Sequence, residues 1–330
     1  MKADYSDKKT DWKLRKLEKK IRETYDEALQ EVAEKLADHL DGYNKKRAKK
    51  SAQVIAGELD EQEYTDWLKH EAYKEKHHRR MIDVLTQDTY NTNKIAAQMI
   101  KGHMLDVYAL NRNYAAYSID SQIGFDTSYA LYNRDTVERL IRDNPDLLPK
   151  VDVKKTKDFK WNKKKFNNEI TQGILQGESV QKMAKRMERV MNMNKGAAIR
   201  NARTATTSAQ SIGRMGAYQR AKELGIGVKK IWMATIDAHT RTSHRELDGQ
   251  VRELDEPFKS MYGDIMEPGD PYADDPADLY NCRCTIRGIT KYSDYDPKDL
   301  ERRFVRFDGE APTYEEWKAG KNGGEAYAEY

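Results

Sequence analysis

Between Leu14 and Leu40 an apolar or small side chain recurs every three or four residues. Leu14, Leu17, Ile21, Tyr25, Ala28, Val32, Leu36 and Leu40 carry the pattern, with Lys, Arg and Glu between them. Only an α-helix brings residues at that spacing onto one face, so the stripe predicts a single long amphipathic helix over 9–41. The stripe is narrow and nearly heptad-spaced, which suits a helical hairpin or a seam with another chain; packing on the chain's own helices is the simpler expectation. Lys45 to Lys50 reads as a basic linker. A second helix is expected from about Asp60 towards Leu85, carrying Tyr64, Trp67, Leu68 and Tyr73. A third is expected over 93–118, with Ile95, Met99, Met104 and Val107 on one face. His77 and His78 are adjacent on a helix and face different directions, so they read as solvated residues rather than metal ligands.

Further on, Thr136 to Arg142 predicts a short helix, closed by the Asn144-Pro-Asp-Leu-Leu-Pro149 run. Lys150 to Lys165 reads as a lysine-rich connector with Phe159 and Trp161 inside it. Helices are expected over 162–175 and over 179–190, the second capped by Ser179. From Ala197 to Leu224 the pattern changes to small residues: Ala198, Ala202, Ala205, Ser208, Ala209, Gly213, Gly216, Ala217 and Ala221. Such a helix lets another backbone come close, which predicts a central position, and Gly225 is placed to end it with a left-handed cap. Strand character follows at 228–236, 250–254 and 284–289. The fold class is therefore α+β: an extended, mainly helical N-terminal half, then a compact α+β module. By sequence order the chain divides into 1–150, helical; 151–196, a basic linker with helices; 197–292, the α+β module; and 293–330, a polar tail expected to be mobile from Asp308.

Charged residues make up 35% of the chain and the hydrophobic set 38%, which is thin in core formers, so some elements are expected to wait for partner subunits. Net charge is only +4, which does not argue for nucleic-acid binding by the whole chain. The distribution is more telling: 146–200 holds 14 Lys and Arg against six acids, and 264–278 holds six acids and no base. The first 47 residues contain no secretory apolar core, and no stretch approaches the ~18 apolar residues of a membrane span. Both cysteines lie within 282–284, too close in sequence to bridge readily, so a soluble protein folding in a reducing cytosol is expected.

The unusual chemistry is concentrated in 237–284, whose turn formers and polar groups cannot be held by apolar burial alone. Asn201-Ala-Arg-Thr-Ala-Thr-Thr-Ser-Ala-Gln210, Trp232-Met-Ala-Thr-Ile-Asp237, Arg241-Thr-Ser-His244, Leu247-Asp-Gly-Gln250, Pro268-Gly-Asp and Asn281-Cys-Arg-Cys284 follow in order. This series resembles the phage Mu F-like head morphogenesis (minor head, or minor capsid) proteins of tailed phages and prophages, with Gln172-Gly-Ile-Leu-Gln-Gly177 adding to the likeness upstream. One departure is His239, where such proteins tend to carry an acidic or polar residue. The resemblance implies a few-copy virion component at the capsid interior or portal vertex, assembled in the host bacterial cytoplasm. Its implied partners are the portal protein and the major capsid or scaffolding protein, and its implied work is head assembly and DNA packaging or delivery. It implies no known reaction, and the 46 residues after Cys284 are too few for the toxin or nuclease domains some relatives carry.

Beside the resemblance, the residues admit several readings. The scaffold reading gives structural work to Arg203, Asp237, Arg241, His244, Asp248, Gly249, Pro268, Asp270 and Asn281. In it Asp237 caps a turn, Arg241 pairs with Asp237 or Asp248, and Gly249 ends a short helix with positive φ. His244 bonds a carbonyl or Asp237, and one cysteine is buried while the other is half-exposed. No catalytic residue and no cofactor are expected under it. A metal reading takes His244, Cys282 and Cys284 as zinc ligands, since one imidazole and two thiolates suit that ion, with Asp237 or a water in the fourth position. A catalytic alternative would place Arg241 and Arg203 on a phosphate with His244 as acid or base and Thr240 or Ser243 assisting, in a nuclease or nucleotide-transfer enzyme. Double-stranded DNA is a further candidate partner, through Lys154, Lys155, Lys163, Lys164 and Lys165. The 264–278 acids read as a solvated loop rather than a calcium site.

Overall fold

The computed structural model describes residues 4–124, 129–291 and 313–322. Nine helices and five strands are seen among them, in the order α1 (Tyr5–Ile55), α2 (Glu61–Ala72), α3 (Glu75–Gln122), α4 (Arg134–Asp143), α5 (Lys155–Leu175), α6 (Val180–Glu223), β1 (Val228–Met233), α7 (Thr242–Leu247), β2 (Val251–Glu253), β3 (Phe258–Ser260), β4 (Gly263–Ile265), α8 (Pro276–Leu279), β5 (Thr285–Thr290) and α9 (Tyr314–Asn322). A mainly helical N-terminal half and a sheet-containing C-terminal region make the chain α+β, as expected. No described helix is long and apolar enough to cross a membrane.

The helices are longer than the sequence pattern suggested. Lys45 to Lys50 is not a linker but part of the continuous helix α1, because lysine and arginine are good helix formers and nothing there interrupts the ladder. The helix stops where Gly57 turns left-handed at φ 71°, with Glu58 N donating to Gln53 O at 2.8 Å. The second helix ends at Ala72 instead of running on to Leu85, and the third begins at Glu75. Lys155 to Lys165 lies inside α5 rather than in a connector. The helices expected over 179–190 and 197–224 are one, α6, since no proline separates them and Gly196 costs a helix only ~1 kcal/mol. Its ends were foreseen: Ser179 Oγ accepts from Lys182 N at 3.4 Å, and Gly225 has φ 82° with Ile226 N bonded to Ala221 O.

Contacts divide the chain into two units that are discontinuous in sequence. The first is Met1–Leu17, Ile100–Val151 and Arg200–Tyr330; the second is Glu18–Met99 and Asp152–Ile199. In the second, the N-terminal stripe is consumed: Ile21, Tyr25, Val32, Leu36 and Leu40 are all buried. They join Ile82 and Leu85 of α3, Phe166, Ile170 and Ile174 of α5, and Met183, Met187, Val190 and Met191 of α6 in the apolar interior. Within it Tyr25 Oη donates to Asn93 Oδ1 at 2.5 Å, and Asn93 Nδ2 donates to Asp158 and Asn194. His78 is buried, contrary to expectation: its Nδ1 lies 3.1 Å from His39 Nε2 and its Nε2 3.2 Å from Glu71 O, while His77 stays exposed and stacks on His39.

In the first unit the antiparallel sheet has the order β2-β1-β5, with Ile231 opposite Val251 and Arg287, and a separate hairpin pairs β3 with β4. The hairpin falls where sequence reading placed loop. The core gathers Ala115, Ala116 and Ile119 of α3, Ala217, Tyr218 and Ala221 of α6, and Val228, Trp232, Phe258, Ile265 and Ile286 from the strands. Tyr314 and Trp317 of α9 belong to it, and Trp317 Nε1 donates to the buried Asp120 carboxylate at 2.7 Å. That part of the expected mobile tail is therefore an ordered helix; the rest of 293–330 lies outside the described residues.

Buried histidines give this fold an acid limit. His103 sits with Nε2 3.0 Å from Thr206 Oγ1, and burial, aided by Lys13, holds its pKa down to about 4. Burial and the neighbouring His77 and His78 bring His39 to about 4 as well, and burial lowers His78. An unfolded histidine titrates near ~6.5, so between that value and about 4 the unfolded chain binds more protons than the folded one. The stability these neutral rings allow is complete above ~6.5 and is lost as pH falls towards 4. Urea midpoints should decline across that window, and the decline should flatten in a His39→Asn, His103→Gln double variant; equal slopes for variant and parent would contradict this.

Candidate functional site

The polar segment is folded around one buried corner of the first unit. The α7 helix carries Ser243 and His244, α8 carries Asp278, and Cys282 and Cys284 lead into β5. His244, Cys282 and Cys284 are each 3% exposed. His244 Nδ1 lies 3.3 Å from Cys284 Sγ and 3.6 Å from Cys282 Sγ, while its Nε2 faces Asp278 Oδ1 at 3.4 Å. Asp278 is held by Ser243 Oγ at 2.7 Å and by Ser260 Oγ on its other oxygen. Trp232 meets the imidazole edge-on, 5.9 Å between ring centres. The two thiols are free, and Cys284 N–H donates to Cys282 Sγ at 3.3 Å. Burial pushes the Cys282 thiol well up, whereas hydrogen bonding to Cys282, outweighing burial, and contact with His244 bring Cys284 down to about 5.

Around this corner the expected partners are partly exchanged. Asp237 does cap its turn, accepting from His239 N at 2.8 Å, but its ion pair is with Arg283, bidentate at 2.5 and 2.7 Å. The Arg283 bonds first, with that turn bond, hold the Asp237 carboxyl far below the usual carboxylate range. Arg241 pairs with neither acid; its guanidinium donates to Tyr280 O, because Arg283 occupies Asp237. Asp248 instead accepts from Ala234 N at 2.7 Å, and Gly249 after it has φ 78°. His244 bonds neither a carbonyl nor Asp237, since Asp278 lies on its ring edge. Neither cysteine is half-exposed.

The 264–278 acids are not simply a solvated loop. Asp270 is buried and accepts from Met266 N at 2.9 Å and Tyr272 N at 2.8 Å, and Asp278 is buried at the corner. Pro268 and Gly269 are buried with it, and Gly269 O accepts from Ser208 Oγ of α6. A Cβ on Gly269 would stand 2.7 Å from Ser208 N, so only glycine allows this approach, and φ is 79°. Asn281, at φ 54°, donates its N–H to Thr204 Oγ1, and Thr207 Oγ1 donates to Cys282 O at 2.6 Å. Two threonines of α6, one turn apart, thus fasten the cysteine segment.

Arg203 is exposed on α6, and His244 is enclosed, so the arrangement does not bring Arg203, Arg241 and His244 to an open phosphate site. Asp278, Ser260 and Arg283 are the members that sequence reading missed, and Ser243, expected only as an assistant to His244, instead holds Asp278. Of the expected DNA contacts, Lys154, Lys155, Lys163 and Lys164 are exposed and Lys165 half-buried; Lys163 pairs with Asp83, and Lys155 lies over Phe159. Both interactions lie in the second unit.

A buried His-Cys-Cys corner, fastened by α6 threonines and capped by an aspartate-arginine turn, is built on the motif series identified above. Residues 164–287 match the family described as phage Mu protein F like protein. The chain carries a Mu F-like region and resembles phage minor head proteins, as the motifs implied. Among curated relatives it is 27% identical over 286 residues, 85% of this chain and 84% of the relative, to minor head protein GP7 of Bacillus phage SPP1. It is also 36% identical over 155 residues to NAD(+)–arginine ADP-ribosyltransferase EFV of Enterococcus faecalis, a match covering 47% of this chain but 31% of that enzyme. No solved structure matches.

Proposed function

We propose that this chain is a minor head protein of a tailed phage or prophage, docking on the portal of the assembling procapsid and assisting head assembly and DNA packaging or delivery. The observation that carries the reading is the length of its likeness to GP7: the match covers 84% of that minor head protein and 85% of this chain. The likeness to the ADP-ribosyltransferase, by contrast, covers under a third of that enzyme. Binding rather than turnover also suits the corner, whose Asp237, His244 and Asp278 are each engaged with other side chains of the fold. The major capsid or scaffolding protein is a further partner under this reading.

Coexpression with the portal protein of the same genome tests it. The two should co-elute as one complex on size exclusion, and the chain should appear in purified heads by mass spectrometry. Presence in heads without portal association would overturn the docking site and leave assembly; absence from heads would overturn the whole reading. Loose DNA contact through the exposed lysines at the start of and along α5 should show as retention that falls steeply with salt, and neutralising Lys154, Lys155, Lys163 and Lys164 together should lower that slope. A salt-independent retention would remove DNA from the partners.

A further inference from the structure

We propose that His244 Nδ1, Cys282 Sγ and Cys284 Sγ are the protein ligands of one zinc ion, which staples α7 to the edge of β5. This goes beyond the head-assembly reading and does not depend on it. The three ligand atoms lie within 4.8 Å of one another, from side chains nine-tenths or more buried. A tetrahedral zinc with bonds of ~2.3 Å to sulfur and ~2.0 Å to nitrogen sets sulfur and nitrogen about 3.5 Å apart. The observed separations are 3.3 and 3.6 Å. The geometry is that of donors around a common point.

The surroundings point the same way. Zinc-bound histidines usually present their second nitrogen to a carboxylate, which fixes the tautomer. Here Nε2 faces Asp278 Oδ1, and Asp278 is itself anchored by two serines. A proton on Nε2, the nitrogen on the Asp278 side, would leave the Nδ1 lone pair towards the sulfurs. The Cys284 N–H donated to Cys282 Sγ supports a thiolate there. Two thiolates and a divalent ion are neutral together, which is what a buried site tolerates, and the soft donor pair selects zinc over calcium or magnesium. Three protein ligands leave the fourth position to a solvent molecule.

A second cluster, His39, His77 and His78 in the other unit, also brings three ligand atoms together, so the test must localise the metal. The full chain, purified without a histidine tag, should hold about one zinc per chain by elemental mass spectrometry. The ion should survive in His39→Asn and be lost in Cys282→Ser and in His244→Asn. Because loss of a buried corner residue can unfold the unit for other reasons, wild-type protein supplies an independent arm. After exchange with cobalt it should show a thiolate-to-cobalt charge-transfer band, and thiol-blocking mercurial should release the zinc stoichiometrically. Metal-free wild type that also fails to give the cobalt–thiolate band would overturn the proposal, as would zinc that disappears in His39→Asn.

Discussion

Replacing Arg214 by methionine is expected to cost the first unit about 3–5 kcal/mol, because it strips a buried guanidinium from two partly buried carboxylates and leaves them facing Arg287 alone. Arg214 lies on α6 and is 2% exposed. Its Nη2 donates to Ser6 Oγ and to Asp7 Oδ1, both at 2.7 Å, and approaches Asp4 Oδ2 at 3.5 Å; Nη1 reaches Ile286 O at 2.8 Å and Nε reaches Asn111 Oδ1 at 3.2 Å. One guanidinium therefore joins the start of α1 to α3, α6 and β5. Burial raises the Asp4 carboxyl, but Arg214 and Arg287 overcome it and hold the group ionised. A domain's whole stability is about 5–15 kcal/mol, so a loss of this size removes a large share of it. Arg214→Lys keeps the charge but not the fork, and should fall between the two. Adding Asp4→Asn and Asp7→Asn to the methionine variant should recover part of the loss, since the excess negative charge that Arg287 alone would face goes with them. The measurement is urea unfolding followed by circular dichroism; a loss under ~1 kcal/mol for Arg214→Met would mean that the network does not hold the unit together.

That network was illegible in the sequence, and the reason is physical. Asp4 and Asp7 sit in a run of charged residues before the amphipathic stripe begins, and nothing in a one-dimensional pattern marks two of them as bound for a core 207 positions away. Periodicity, by contrast, reports burial directly. The Ile21 to Leu40 stripe and the small-residue face of 198–221 were read correctly because each is a local pattern whose spacing is the geometry itself. Boundaries went wrong where composition stood in for geometry: lysine-rich stretches at 45–50 and 155–165 looked like linkers, yet lysine is compatible with helix wherever no glycine or proline stops it.

At the corner, the residue types were legible and the pairings were not. His244, Cys282 and Cys284 were grouped from chemistry alone, and the fold does bring them within reach of one another. Arg241 was assigned the carboxylate that Arg283 takes, because two arginines equally capable of the bond differ only in where β5 places them. Asp278 was absorbed into an acidic run that read as solvent-facing. Its burial follows from Pro276 at the first turn of α8 and the Asp275 cap that starts it, a signal present in the sequence but overshadowed by the neighbouring charges.

The second large effect is expected at Gly213, where α6 passes α3. A Cβ there would stand 2.6 Å from Tyr108 O, 3.2 Å from Tyr108 Cα and 3.3 Å from Arg112 N. All three are backbone atoms, so no rotamer change relieves the clash and the helices must separate. In an open helix, glycine to alanine gains about 1 kcal/mol from backbone entropy. Overpacking a close contact costs ~1–3 kcal/mol, so at Gly213 the sign should reverse and Gly213→Ala should destabilise. Gly213→Leu would drive several more atoms into the same backbone and should leave the first unit unable to close on its α3 helix. Gly216, one turn on, is the internal control: its added Cβ would meet only the Tyr108 hydroxyl, at 3.0 Å, the far end of a side chain that can swing. Gly216→Ala should therefore be near neutral. Thermal midpoints of the three variants decide it. If Gly213→Ala raised the midpoint as much as a solvent-facing helical glycine would, the close approach of α6 to α3 would be wrong, and with it the explanation for why this helix is built from alanine, serine and glycine.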